Sequence, residues 1–356
     1  MAKFVVTPSS EKQRAAWTGG GIPEVERVRP GLWSIPVPIP INPLRYVLVY
    51  ALELADGVAI IDAGWDTDEA YEALTAGLGV AGYTIADVRA VLVTHIHPDH
   101  YGLAGRVREA SGAWIGLHPA DAGLLRERYD EEFIDALVAK ERAQLLRCGV
   151  PASTVDELAG ASMMIRTFVT MAAPDRLIED GDRLDLSGWD LRAVWTPGHS
   201  PGHLCFAEPS RKLLFTGDHV LPRITSAVAV HPQSAPNPLA DYLDALAALR
   251  AFDVEEVLPA HEYRFLELAG RVDYVMEHHR ERLAEIEEVV SGTDGVTCWD
   301  VATKLTWSRP WESIPSFMRR AAGNETLAHL VWLESRGRAR RLPGEPELWT
   351  GAVDRS

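Results

Sequence analysis

The chain has 356 residues and 47% of them are hydrophobic, enough for one large domain and a smaller one around packed, soluble cores. Its formal net charge of −16 repels a polyanion unless basic residues are segregated onto one surface, so nucleic acid is a disfavoured partner. The three cysteines, Cys148, Cys205 and Cys298, form no CxxC pair, which excludes a thiolate zinc knuckle and a disulfide framework and leaves buried free thiols.

Residues 1–21 contain no continuous apolar core of the kind a secretory signal needs, and apolar runs such as 46–52 are far too short to span a bilayer. A cytoplasmic protein without a membrane partner is expected. Residues 32–38 and 45–54 alternate or run apolar, and 57–62 repeat the pattern after Asp56-Gly57, which predicts consecutive antiparallel strands. Asp62 ends the last of them in Asp62-Ala63-Gly64, where a carboxylate either supports a site or serves the turn into a helix over 68–78. The apolar run 90–93 reads as a buried strand that stops at Thr94-His95-Ile96-His97-Pro98-Asp99-His100. His95, His97, Asp99 and His100 carry the donor types that borderline metals prefer.

A helix over 102–110 and a strand over 113–117 follow, an order that implies α/β layering with helices packed on sheet. From 119 to about 171 the pattern is helical, with its longest segment at 129–146, an insertion-sized block between strands. Strands resume at 176–178, 183–186 and 189–195, the last running into Thr196-Pro197-Gly198-His199-Ser200-Pro201-Gly202-His203. A hairpin of 204–206 and 212–215 ends in Thr216-Gly217-Asp218-His219, and after a helix over 239–252 the run 257–261 ends at His261. Four separate strand ends therefore deliver ligand-type residues. Beyond 267 the pattern is helical, at 268–290, 299–305 and 325–335, and closes with Arg336-Gly337-Arg338-Ala339-Arg340-Arg341, read as a turn. No internal repeat or low-complexity segment is present.

His95 and His97, two residues apart on an extended segment, point to one side and can chelate one ion, which His199 completes. Asp99 and His100, redirected by the bend after Pro98, join His261 at a second ion. Asp218 suits a bridge, because a carboxylate has two oxygens and an imidazole cannot span two metals. Two divalent ions, about 3.5 Å apart in typical two-metal sites, bring a bridging water toward ionisation near neutral pH and so supply a hydroxide nucleophile. Asp99 is the expected catalytic residue, orienting the nucleophile and moving a proton toward the leaving group. The reaction class is metal-assisted hydrolysis.

His95-Ile96-His97-Pro98-Asp99-His100, with His199, Asp218 and His261 in order, resembles the metallo-β-lactamase superfamily over roughly residues 30–265, and Asp62 matches its early supporting aspartate. The resemblance implies an α/β fold, the four-layer αββα sandwich, with metals at one sheet edge. It also implies a catalytic domain over 1–267 with a helical insertion at about 119–175. Asp218 and His100 stand where cysteine would suggest a true β-lactamase, so the chain is more similar to the glyoxalase II, thioesterase and ribonuclease branch. Residues 196–203 resemble the segment Thr-Pro-Gly-His-Thr-x-Gly-His of glyoxalase II-like thioester hydrolases. Residues 268–356 resemble a small helical, winged-helix-like C-terminal domain found on a subgroup of these hydrolases.

The expected activity is hydrolysis of a small thioester or ester, a CoA, glutathione or carrier-protein conjugate, with two divalent ions, zinc foremost and iron or manganese as alternatives. An endoribonuclease or phosphodiesterase, and a lactonase, are the competing readings, and a homo-oligomer is compatible with either. His203 and His219 adjoin ligand positions and are expected behind the ligands or in simple packing. Tyr263 and Arg264 are expected to face substrate or lie at the surface. His118, His231, His278 and His279 read as structural. Met163, Met164, Phe168 and Met171 read as helix-packing core or as an acyl pocket, and Arg336–Arg341 as a solvated turn or dimer contact, with a phosphate contact as the alternative.

Overall fold

The computed structural model describes residues 4–40, 42–160 and 167–352. A short helix, α1 (Glu11–Thr18), precedes the strands β1 (Glu26–Arg29), β2 (Leu32–Pro38), β3 (Tyr46–Leu54) and β4 (Gly57–Ile61), which pair in that order as an antiparallel meander. After α2 (Asp68–Val80), β5 (Val88–Leu92) joins β4 in parallel. The helix expected over 102–110 is two pieces, α3 (Pro98–Tyr101) and α4 (Ala104–Ser111). His97 stands in extended backbone immediately before Pro98, whose fixed φ suits the first turn of a helix, so the chain turns sharply between His97 and Asp99. The strand β6 (Trp114–Leu117) then pairs parallel to β5.

The expected helical block is α5 (Pro119–Ala122), α6 (Leu125–Tyr129), α7 (Glu131–Arg147) and α8 (Ala152–Gly160), after which β7 (Arg176–Leu177) closes a seven-stranded sheet. Met163 and Met164 lie outside the described residues, Met171 is exposed, and Phe168 stacks on Trp65 at 4.6 Å between ring centroids. The segment 183–186 forms no strand; it makes only isolated bridges, Arg183 with Arg192 and Leu186 with Trp189, because the chain doubles back through a tight turn at Gly188. A second sheet follows, of β8 (Arg192–Trp195), β9 (Leu204–Glu208) and β10 (Leu213–Gly217), with α9 (Pro238–Leu249) leading to β11 (Glu256–Pro259) parallel to β10.

Period-2 alternation along these strands sets the layers. Tyr46, Leu48, Tyr50 and Leu52 of β3 meet Leu204 and Phe206 of β9, Leu213 and Phe215 of β10 and Leu258 of β11 in one buried cluster between the two sheets. The intervening Val47, Val49 and Ala51 face the other way, against Leu74 and Leu78 of α2 and Val107 of α4. Cys205, Leu214 and Val257 face outward from the second sheet onto Leu239, Leu246 and Leu249 of α9. Each sheet thus buries both faces, and the result is the expected helix, sheet, sheet, helix stack.

The C-terminal part comprises α10 (Leu268–Ser291), β12 (Val296–Thr297), α11 (Cys298–Lys304), α12 (Ser316–Ser335), β13 (Ala339–Leu342) and β14 (Leu348–Gly351). The last helix starts well before residue 325, and the run read as an arginine turn is a turn over 336–338 only and continues as β13, in an antiparallel sheet ordered β12, β14, β13. Two of its arginines are paired within the chain. Arg338 pairs with Glu287, and Arg341 pairs with Glu334 at 2.9 Å and lies over the Trp349 ring. Val272 and Val275 of α10, Leu327 and Leu330 of α12 and Trp349 continue the same apolar cluster that covers the second sheet.

Candidate metal centre

Every expected ligand follows a strand end, in the loop it opens or, for Asp99 and His100, in the short helix α3. β5 ends at Leu92 and its continuation delivers His95 and His97; β8 leads to His199; β10 ends at Gly217, just before Asp218; β11 ends at Pro259, just before His261. Near-atom geometry forms three overlapping groups: His95, His97 and His199; His95, His100 and Asp218; and Asp99, His100 and His261.

In the first group three ring nitrogens face one another. His95 Nε2 lies 2.9 Å from His97 Nδ1, and His199 Nε2 lies 3.1 and 3.0 Å from these two atoms. Around the third, which Asp218 joins, His261 Nε2 is 3.2 Å from Asp218 Oδ1 and 3.3 Å from Asp99 Oδ2, and His100 Nε2 is 3.6 Å from each of the same two carboxylate oxygens. Asp218 Oδ1 faces this group, while its Oδ2 lies 3.5 Å from His199 Nε2 in the other. One carboxylate therefore presents an oxygen to each cluster.

Whether a cation fits is decided by the remote side of each ring. His100 Nδ1 donates to Asp62 Oδ2 at 2.8 Å, His95 Nδ1 to Thr94 Oγ1 at 3.1 Å, His199 Nδ1 to the Ala227 carbonyl at 2.8 Å and His261 Nδ1 to the Tyr46 carbonyl at 2.9 Å. With those nitrogens protonated, the lone pairs of the near nitrogens point into the centre, the arrangement metal-binding histidines adopt. His100 Nε2, His261 Nε2 and Asp218 Oδ1 are buried with no hydrogen-bond partner, close together but misaligned for one another. Orphaned buried groups of this kind are costly unless something else satisfies them. The donor set fits a divalent cation bound by nitrogen and oxygen.

Electrostatics agree. Burial pushes His95 and His97 well below the ordinary imidazole range, which keeps them neutral as ligands must be. Burial also opposes charge on His261, but Asp218 and Asp99 lift it to about 10, and Asp62, Asp99 and Asp218 likewise raise His100 against its burial. Burial alone would raise Asp218; His261 and His100 instead hold it well below the carboxylate range. In the metal-free chain, protons on these two rings stand where positive charge is wanted.

Asp62 is a supporting residue: Thr94 donates to it from its backbone N–H at 2.8 Å and from its hydroxyl, so one buried carboxylate fixes both His100 and, through Thr94, His95. It does so from left-handed backbone, φ 63°, an uncommon conformation for a residue other than glycine. His203 also lies behind a ligand. It donates to Thr196 Oγ1 at 2.8 Å and accepts from the Asp218 backbone N–H at 3.2 Å. His219 is packed: its ring sits between His203 and Tyr242 with both nitrogens unpartnered, and burial lowers it to about 3.

Tyr263 and Arg264 are not at the surface. Tyr263 is buried with Phe265 and Leu268 and lines a small cavity with Phe4 and Arg223, whereas Arg264 is buried in ion pairs with Glu26 and Glu256. Both follow the left-handed turn at Glu262, which sends the chain from the sheet edge back inside. His118 accepts from Ala120 N, His231 accepts from Gln233 N, and His279 faces His329 at 3.1 Å, all structural contacts.

Asp121 carries a role that sequence reasoning missed. Its Oδ2 accepts from Ile96 N at 2.9 Å and Ser200 Oγ at 2.8 Å, and its Oδ1 accepts from Gly202 N at 2.7 Å, so it ties the loop of His95 and His97 to the loop of His199. A Cβ at Gly202 would sit 2.6 Å from Asp121 N, which is why glycine is needed there. The local sequence offers no signal for this contact beyond a carboxylate following His118-Pro119.

The family model described as metallo-beta-lactamase superfamily matches residues 42–261. Among solved structures, the metallo-beta-lactamase family protein TTHA1429 from Thermus thermophilus superposes with a TM-score of 0.77 at 30% identity, over 91% of this chain and 100% of that one. The "Probable metallo-hydrolase YqjP" of Bacillus subtilis is 27% identical over 266 residues, 72% of this chain and 79% of its own. The atrochrysone carboxyl ACP thioesterase dmxR1 of Cryptosporiopsis sp. is 35% identical over 118 residues, 32% of this chain and 34% of its own. The chain spans about half the length of the curated relatives it matches first, 43% and 56%.

Proposed function

We propose that this chain, which belongs to the metallo-beta-lactamase superfamily, is a hydrolase, a dinuclear enzyme cleaving a small thioester or ester. The observation that carries the two-metal reading is Asp218, with one oxygen toward His199 and the other toward His100 and His261. His95, His97 and His199 would hold one ion and Asp99, His100 and His261 the other, and zinc is the first candidate, ahead of iron or manganese. Bound divalent ions supply Lewis acidity and bring a coordinated water toward ionisation near neutral pH.

The chain's own residues do the rest. Asp62 and Thr94 lock the imidazoles of His100 and His95, and His203 fixes the backbone from which Asp218 reaches across. Asp99, whose Oδ2 lies 3.3 Å from His261 Nε2, would orient the attacking water, accept a proton from it as the new bond to the carbonyl carbon forms, and pass that proton to the leaving thiolate or alkoxide. The thioester preference is supported by the segment 196–203 and by relatives named as thioesterases. The pairing of Arg338 and Arg341 within the chain, together with the net charge of −16, weighs against the phosphodiesterase alternative. Residues 268–352, in the order helix, strand, helix, helix, strand, strand, are proposed as a winged-helix-like unit serving stability and not nucleic acid.

Incubating the metal-replete and chelator-stripped protein with a panel of acyl thioesters tests the reading. Thiol release by the replete form alone is expected. A panel from which no member releases thiol overturns it.

A further inference from the structure

α6 carries an arginine whose surroundings are unlike those of its neighbours. Arg128 is half-buried, and among the described residues no carboxylate lies within ion-pair distance of its guanidinium, although Arg126 beside it pairs with Asp130 and Glu132. The adjacent Glu127 is engaged by Lys140 and by Gln233 Nε2. Arg128 is instead held by neutral groups. Its Nη1 donates to Gln233 Oε1 at 3.3 Å, and it lies against Tyr129, whose hydroxyl donates to the Ile96 carbonyl at 2.6 Å.

Ile96 stands between His95 and His97. Gln233 belongs to the segment whose Ala227 carbonyl accepts from His199. The guanidinium thus lies between Gln233, in the segment that backs His199, and Tyr129, which braces the loop of His95 and His97. A partly desolvated cation with no ion-pair partner is expensive to keep. In a chain of net charge −16, an anionic substrate is repelled at long range and needs a local cation to be captured.

We infer that Arg128 is a specificity residue that takes an anionic group of the substrate, a carboxylate or a phosphate, while the scissile bond lies before His95, His97 and His199. The inference rests on the hydrolase reading above and narrows its substrate class. Guanidinium is suited to the task because its planar fork meets either anion with two parallel hydrogen bonds, while Gln233 and Tyr129 restrict its motion.

Two matched pairs of thioesters, tested on the metal-loaded protein, separate the anion sources. S-phenyl monothiosuccinate against its methylamide varies a carboxylate; acetyl-CoA against S-acetylpantetheine varies the phosphates. Wild type is expected to prefer the charged member of one pair. Arg128→Met should raise KM for that member roughly tenfold or more and change the neutral member less than about twofold, with Arg128→Lys in between.

Calorimetric titration with mercaptosuccinate against 2-mercaptoethanol, and with CoA against pantetheine, gives the same comparison without turnover. Absence of hydrolysis with Arg128-dependent binding of a charged thiol would sink the thioester reading and leave this inference standing. Equal losses on charged and neutral members, or no preference in wild type in either measurement, would overturn the inference. Metal content equal to wild type in each variant shows that the centre itself is intact.

Discussion

Asp62 and Asp121 show how much of this centre is held by groups that touch no metal. Asp62 accepts from His100 and Thr94 at the cost of left-handed backbone. Asp62→Asn should weaken divalent-ion affinity by about 10- to 100-fold in chelator competition, the range typical of such supporting groups; unchanged affinity would remove it from the centre. Asp121 accepts three hydrogen bonds across two loops, more than an amide with one oxygen can take in the same pose. Asp121→Asn is therefore expected to lower stability by about 1–3 kcal/mol in denaturant titration and to weaken metal binding together with it. A stability loss with full metal affinity would mean the two loops hold their places without it.

At the scale of elements, α12 reaches the metal centre through a chain of short contacts. Val230 N donates to the Asn324 carbonyl at 3.1 Å, Gln144 of α7 donates to the Val230 carbonyl and to Asn324 Oδ1, and the same loop presents the Ala227 carbonyl to His199. Beside Asn324, burial lifts Glu325 from 4.5 to about 7. Its folded-state value lies above its unfolded one, so its contribution is fully favourable below about pH 4.5 and is lost as pH rises toward 7 and beyond. Unfolding free energy from denaturant titration should fall across that window by an amount of order 1–3 kcal/mol that Glu325→Gln removes; an identical pH profile in the variant would contradict the assignment.

The strands and ligands of the sandwich were legible because alternation and strand-end histidines are local signals. His95, His97, Asp99, His100, His199, Asp218 and His261 come together in groups that could hold metal ions. Long-range partners were not legible: Asp121 meets Ile96 and Gly202 only after folding, and Tyr263 and Arg264 turn inward because Glu262 takes a left-handed conformation. The tail strands were hidden because their arginines read as solvated, whereas partners on α10 and α12 neutralise two of them.

For the whole molecule, the apolar cluster that covers the second sheet runs without interruption from Leu246 and Val257 through Val272 and Val275 to Leu330 and Trp349. Cutting the chain after residue 267 would expose that face, so residues 1–267 alone are expected to be insoluble or unfolded by circular dichroism. A folded, active fragment would show that the C-terminal part is dispensable. Among the described residues no helix is long and apolar enough to cross a membrane. The most direct measurement is a titration of the metal-free protein with a divalent ion while thiol release from a thioester is recorded. Activity that climbs until two ions are bound per chain, and that Asp218→Ala abolishes, is the expected result; full activity at one ion, or activity without any, would contradict the two-metal centre.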